Sequence, residues 1–231
     1  MTPSLLPPFV DWTTHFYPVC LGLKSGHYPP WTYALLSPLT SLPPHLGAVL
    51  LALLSILISI RYLGWRSLFF LTCAPVVISI GNGNIDTLLL AAFLLPLSGG
   101  LIIASCKPVV MIGWMVRKVT SRGLIHGVPL ALLLTLSLIL WGLWPLHTDT
   151  AIDHLVSKYN ISLFPYLSPL GLVFLLSNSP LLWLLGGCFL SPYLAFYQLT
   201  PILGYWMRRA KVWQIGVVWV GSWVGAMVAW G

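Results

Sequence analysis

Charge is what this chain has least of. Charged residues make up 6% of its 231 positions, against roughly 25% in an ordinary soluble domain, whose surface must face water. Glutamate is absent, and the four acids are Asp11, Asp86, Asp149 and Asp153. Such a chain cannot cover itself with solvated groups, which argues against a soluble domain and leaves lipid as the matching solvent. Other absences narrow the chemistry. The four cysteines, Cys20, Cys73, Cys106 and Cys188, form no C-x-x-C pair, so neither a disulfide framework nor a zinc site is expected. His15, His27 and His45 with Cys20 match no metal-ligand spacing, and no metal or cofactor is expected from them. There is no Walker motif, G-x-S-x-G or G-x-G-x-x-G. Met1 to Phe9 lack a basic n-region and a cleavage site, so no signal peptide is expected. No duplicated motif points to the inverted repeats of a secondary transporter.

What is present fits a bilayer. Hydrophobic residues are 58% of the chain, and the 11 Lys+Arg give a formal charge of +7. The basic residues sit between apolar runs, at Arg61/Arg66, Arg117/Lys118/Arg122 and Arg208/Arg209/Lys211. That is the pattern of cytoplasmic loops in membrane proteins, not of a nucleic-acid surface. The 12 Trp and 9 Tyr suit interfacial belts.

The expected fold is all-α, a polytopic transmembrane helix bundle in one domain, 1–231, with about seven or eight apolar helices, some short or broken. Residues 1–44 carry nine prolines, Asp11 and Lys24, and read as an irregular or interfacial segment on the outer face. Apolar runs then follow at Leu46–Leu63, Ser67–Ile80, Ile85–Leu97, Leu101–Val116, Leu124–Trp144, Leu163–Leu176, Leu181–Leu190, Tyr193–Met207 and Val212–Trp230. A multi-pass protein of the cell (inner or plasma) membrane is expected, with membrane lipids as partners and no nucleic acid. The basic clusters raise one conflict. Three apolar runs separate Arg66 from Arg117, and three crossings would put these cations on opposite sides. The two runs flanking Asn82–Asn84 therefore form one broken crossing, or one run is re-entrant.

Several polar residues stand out against this background. Asp11 has Thr13, Thr14, His15, Tyr17 and Lys24 nearby in sequence, a neighbourhood able to hold a polar substrate; the bland alternative is a turn-capping aspartate. Asn82, Asn84 and Asp86 lie between two apolar runs, and an acid near membrane depth is a functional candidate. Alternatively they form a surface turn in which Asn84 caps the next helix. Lys107 sits inside an apolar run before Pro108, where it must snorkel, pair, or meet an anion such as a lipid-linked phosphate. Asn160-Ile161-Ser162 has the form of a glycosylation sequon, short enough to arise by chance.

Asp11-Trp12 with Phe16-Tyr17, Gly26, Tyr28-Pro29-Pro30, Pro38-Leu39 and Leu42-Pro43 resemble the first outer loop of polytopic GT-C glycosyltransferases. Within that superfamily the resemblance is to the bacterial polyprenyl-phosphate-mannose-dependent mannosyltransferase-like family, formerly a domain of unknown function. Gly81-Asn82-Gly83-Asn84, Lys107-Pro108 and Ser191-Pro192-Tyr193 with Tyr197 are similar to later landmarks of that family, in matching order. The resemblance implies a short member that moves a sugar, mannose above all, from a polyprenyl-phosphate donor to an acceptor hydroxyl on the extracytoplasmic face, with inversion. It implies Asp11 as general base and Lys107 as holder of the donor phosphate. His15, Tyr17, Tyr28, Asn82, Asn84 and Asp86 are the further substrate-binding candidates. The lipid-linked sugar is the donor substrate, and no other cofactor is implied. The family carries a span before its aspartate, so a partner chain supplying a missing first helix is an expected partner. Two other classes stay open: a non-catalytic subunit that kept a GT-C-like fold, and a small transporter using Asp86 and Lys107 as intramembrane charges.

Overall fold

The computed structural model describes residues 8–23, 26, 28–142 and 160–230, and the described part is helical with no strand. Lys24, His27 and the polar loop with His147, Asp149, Asp153, His154 and Lys158 lie outside the described residues. A π-helical turn, Trp12–Phe16, leads into α1 (Tyr17–Cys20), followed by α2 (Pro30–Thr40) and α3 (Pro44–Leu63). Then come α4 (Ser67–Leu71), α5 (Ala74–Gly81), a 3₁₀ helix (Asp86–Phe93), α6 (Leu97–Ser105), α7 (Pro108–Arg122) and α8 (Val128–Trp141). The chain closes with α9 (Ser168–Leu175), α10 (Pro180–Leu190), α11 (Thr200–Met207) and α12 (Val212–Trp230).

Proline sets where most of these helices begin. It occupies the first or second position of α2, α3, α5, α7, α8, α9, α10 and α11, where its missing N–H costs nothing because that donor would be an orphan anyway. The same prolines cut the apolar runs short. The helical stretch Pro44–Leu71 and the segment Leu124–Trp141 are each long and apolar enough to cross a membrane. α5 and the 3₁₀ helix qualify as a third only as a pair, bent by 110° across residues 82–85. Leu101–Val116, read from sequence as one interrupted run, is two helices broken at Cys106-Lys107. The residue before proline avoids helical angles, and Lys107 before Pro108 has φ −146° and ψ 82°.

These breaks are reversals of direction. Tyr62, Ala92, Phe93, Leu95, Leu97, Trp114, Lys118 and Arg122 line one cavity, so the end of α3, the end of the 3₁₀ helix, the start of α6 and the last turns of α7 share one end of the bundle. Gly100 and Trp114, equidistant in sequence from Lys107, approach each other across the α6–α7 hairpin. Arg208 and Arg209 line the same cavity, and Arg66 donates to the carbonyls of Arg208 and Ala210 at 2.6 and 3.4 Å. The conflict between Arg66 and Arg117 is thereby removed: paired reversals at 82–85 and 106–107 return the chain to the basic end each time. Glycine permits the tight packing behind these hairpins. A Cβ at Gly113 would stand 2.1 Å from the Trp183 carbonyl, and one at Gly187 2.4 Å from that of Val110, so α7 and α10 touch backbone to backbone.

Residues 1–44 are more regular than their prolines suggest. α2 tolerates Pro38 because the Ala34 carbonyl, deprived of the Pro38 N–H, accepts the Ser37 hydroxyl at 2.8 Å. Outside the core the surface is apolar. α8 buries one residue, Ser137, and exposes Leu132, Ile139 and Leu140 at 64, 75 and 60%. Such a helix finds its solvent in lipid or against another apolar surface.

Candidate active site at the helix breaks

The two reversals meet at the end of the bundle opposite the basic residues. The 82–85 turn is shaped by Gly83, whose φ of +69° suits glycine and whose missing side chain leaves room for Trp12, Cβ to Cβ 2.6 Å were one built. The N-terminal segment docks there through its backbone. The N–H groups of Asp11 and Trp12 donate to the Asn82 carbonyl at 2.8 and 3.2 Å, and the buried Trp12 indole donates to the Pro44 carbonyl at 2.8 Å, at the start of α3. The π-helical winding of residues 12–16 begins immediately after Asp11, a local distortion frequent at functional sites.

A second set of contacts holds the 106–107 break. Thr32 of α2 donates to the Cys106 carbonyl at 2.9 Å, and the Trp31 indole to the Ser105 hydroxyl at 3.1 Å. The extended backbone at Lys107 then turns its side chain toward the 82–86 turn. Its ammonium donates to Asp86 Oδ2 at 2.6 Å and to Asn84 Oδ1 at 2.9 Å. Asn84 Nδ2 in turn donates to Asp11 Oδ2 at 2.7 Å. The orientation of the Asn84 amide follows from its partners, since an ammonium only donates and a carboxylate only accepts. Asn84 Oδ1 also takes the Ile85 N–H at 2.7 Å. The result is one continuous line, acid–amide–ammonium–acid, joining residues 11, 84, 107 and 86. Lys107 and Asp86 are 1% exposed and Asn84 2%, whereas Asp11 is half-buried. Among the described residues Asn84 is the one hydrogen-bond donor to the Asp11 carboxylate.

Aromatic rings complete the surroundings. The Lys107 ammonium lies 5.0 Å from the Tyr197 ring centroid and 5.5 Å from that of Tyr28, within cation–π range. Tyr28 stacks on Phe16 at 5.1 Å. Burial first, and then the charges of Asp86 and Asp11, hold the Tyr28 phenol well above its ordinary range, so it is a hydroxyl donor at any physiological pH. Tyr193 comes from the extended segment after α10, and Tyr197 from the 3₁₀ turn Phe196–Leu199 that follows it; Asn160 pins the extended segment, its amide donating to the Pro192 carbonyl at 3.1 Å and accepting the Leu194 N–H at 3.1 Å. The Asn160 amide is thus committed to holding a loop.

Of the residues singled out from sequence, Asp11, Asn84, Asp86, Lys107 and Tyr28 are brought together. Asn82 contributes its backbone carbonyl. Tyr17 lies aside, its hydroxyl donating to the Leu42 carbonyl at 3.4 Å and its ring edge-on to Trp12. His15 is half-buried on the π-helical turn. Sequence reasoning did not place Tyr193 and Tyr197 in the site; their one signal was their position in the Ser-Pro-Tyr segment. Thr32 and Trp31, which hold the second break, carried no signal at all.

An apolar groove adjoins the site. It has a volume of about 330 Å³ and runs between α2, α3 and the 3₁₀ helix, past Leu36, Leu51, Leu54 and Leu88. Thr32, Ile85 and Cys106 also line it, and they are the chain neighbours of Trp31, Asn84, Asp86 and Lys107. No protein-family model, no curated protein and no solved structure matches this chain.

Proposed function

We propose that this protein is a multi-pass glycosyltransferase of the cell membrane that transfers a sugar, mannose being the expected one, from a polyprenyl-phosphate donor to an acceptor hydroxyl on the extracytoplasmic face. One observation carries the reading: a half-buried carboxylate, Asp11, is held by the Asn84 amide in a polar line whose chain neighbours Ile85 and Cys106 line an apolar groove. A lipid-linked donor needs that combination, a greasy channel for its chain ending at a polar reaction centre.

In this reading Asp11 takes the proton from the acceptor hydroxyl. The acceptor oxygen attacks the sugar carbon as the bond from that carbon to the phosphate oxygen breaks. The configuration inverts, and polyprenyl phosphate departs with the electron pair. Asn84 fixes the Asp11 carboxylate, leaving Oδ1 for the acceptor. Lys107 orients Asn84 and is the cation nearest the leaving group. Two of its three N–H bonds are spent on Asn84 and Asp86, which leaves the third for the phosphate. The basic end supplies the orientation, since Lys/Arg-rich turns favour the cytoplasm. From Lys107 to Arg122, α7 is 15 residues, about 22 Å at 1.5 Å per residue. With Arg122 at one face, the site lies within the roughly 30 Å of hydrocarbon but near the other face.

The buried Asp86–Lys107 pair also suits a small transporter coupled to protonation. Membranes carrying the protein, supplied with polyprenyl-phosphate-mannose and a hydroxyl acceptor, separate the two. The expected result is sugar transfer that falls by at least about a hundredfold in Asp11→Asn, the size of a lost general base, at unchanged expression. No transfer by the wild type from mannose or from a panel of other lipid-linked sugars defeats the glycosyltransferase reading. Uptake of unchanged substrate, lost in Asp86→Asn and kept in Asp11→Asn, establishes the transporter.

A further inference from the structure

The cations of this chain are distributed unevenly over their possible partners. Among the described residues the ion pair is Lys107–Asp86, at the Asp11 end. At the other end, Tyr62, Lys118, Arg122, His126, Arg208 and Arg209 converge on a cavity of about 410 Å³. No carboxylate among the described residues lines it, and Asp149 and Asp153 lie outside the described residues.

Ring faces hold these cations where acids would otherwise do so. The Arg208 guanidinium lies 4.6 Å from the Tyr62 ring centroid and that of Arg209 4.4 Å from Tyr205. Lys118 stands between Trp114 and Trp183 at 5.9 and 5.8 Å. An aromatic face positions a cation without neutralising it, so the charge stays available to a ligand. Arg66, through its two bonds to the 208–210 carbonyls, fixes the turn that presents Arg208 and Arg209. Lys118, Arg122 and Arg209 line the same cavity, and an anion there would relieve the repulsion among like charges. Arg122, Arg208 and Arg209 are exposed and Lys118 and His126 half-buried, and all five surround one concave space with Phe93 and Leu97 on its apolar wall.

We infer that the basic end carries a binding site for a phosphate-bearing anion, with arginine forks for the phosphate oxygens and an apolar wall suited to the glycerol and first methylenes of an anionic phospholipid. The site does not depend on the chemistry at Asp11. The same donors would also take a soluble phosphate compound, and the experiment tells the two sources apart.

The full chain, purified in a neutral detergent, is titrated with phosphatidylglycerol, with phosphatidylcholine and with inorganic phosphate, reading the unfolding midpoint. Stabilisation by phosphatidylglycerol beyond phosphatidylcholine, weakened at least about tenfold in Arg208→Gln/Arg209→Gln, supports the site as a lipid one; tenfold corresponds to the loss of one charged hydrogen bond. Stabilisation by inorganic phosphate with the same loss supports it as a site for a soluble phosphate compound. Should the double variant not fold, Lys118→Gln is read in its place, with the same weakening expected. Equal stabilisation by both lipids with no response to phosphate overturns the proposal. So does an equal weakening in Arg61→Gln, whose exposed side chain lies outside the cavity.

Discussion

Replacing Asp86 by asparagine keeps the shape of the side chain and removes only its charge. Lys107 Nζ lies 2.6 Å from Asp86 Oδ2, and the two side chains are 1% and 2% exposed, so water cannot take over the lost partner. An ion pair cut on one side while the other charge stays buried costs about 3–5 kcal/mol. The retained amide oxygen and the Asn84 acceptor at 2.9 Å place Asp86→Asn at the lower part of that range, about 3 kcal/mol. Lys107→Met leaves the Asp86 carboxylate without its counter-charge and loses the bond to Asn84 as well, so it falls toward about 5 kcal/mol. In a chain of this size 1 kcal/mol moves Tm by about 2–4 °C, giving drops of roughly 6–12 °C and 10–20 °C. The double variant Asp86→Asn/Lys107→Met buries no charge from this pair. It should recover about 2–3 kcal/mol relative to the sum of the single losses, the coupling of two residues in one network. The assay is the thermal unfolding midpoint of the purified protein in one detergent, read for all four forms. Single variants within about 2 °C of wild type, or a double variant that simply adds the two losses, would refute the buried pair as an energetic unit.

Two further outcomes probe how the site is assembled. Gly83→Ala must either adopt a φ of +69° with a side chain or displace Trp12, whose Cβ would stand 2.6 Å from the new methyl; a loss of about 1–3 kcal/mol is expected, read as a lower Tm, together with reduced activity because Asp11 hangs from the same turn. Asn160→Ala releases the Pro192 and Leu194 backbone groups; a loss of about 1–3 kcal/mol should appear as a lower Tm, with increased hydrogen exchange at the Leu194 amide, and exchange unchanged there would show that another contact holds the loop.

Much of this protein is legible without coordinates because its polar residues are so few. In a chain with four acids, Asp11, Asn84, Asp86 and Lys107 stand out individually, and the physical cost of burying them marks them as candidates. The bounds of α3 and α12 follow as directly from Pro44, Gly64 and the 208–211 turn. Local chemistry even marks the breaks, through Gly83 and Pro108. It does not say what a break does. A chain interrupted at 82–85 can continue across or turn back, and the choice rests on packing between distant segments: the backbone contact of α7 with α10 at Gly113 and Gly187, and the docking of Trp12 beside Gly83. The proline count misled in α2, where one hydroxyl, Ser37, took over the carbonyl that Pro38 released. Asp11 and Asn84 are 73 residues apart and Asn84 and Lys107 23, separations at which sequence carries no register. Sequence alone determined which side chains are costly enough to need partners and that the chain suits lipid. Only the tertiary structure decided which partners they have, because each hairpin's direction is set by close approach between helices, and that depends on atoms far apart in the chain.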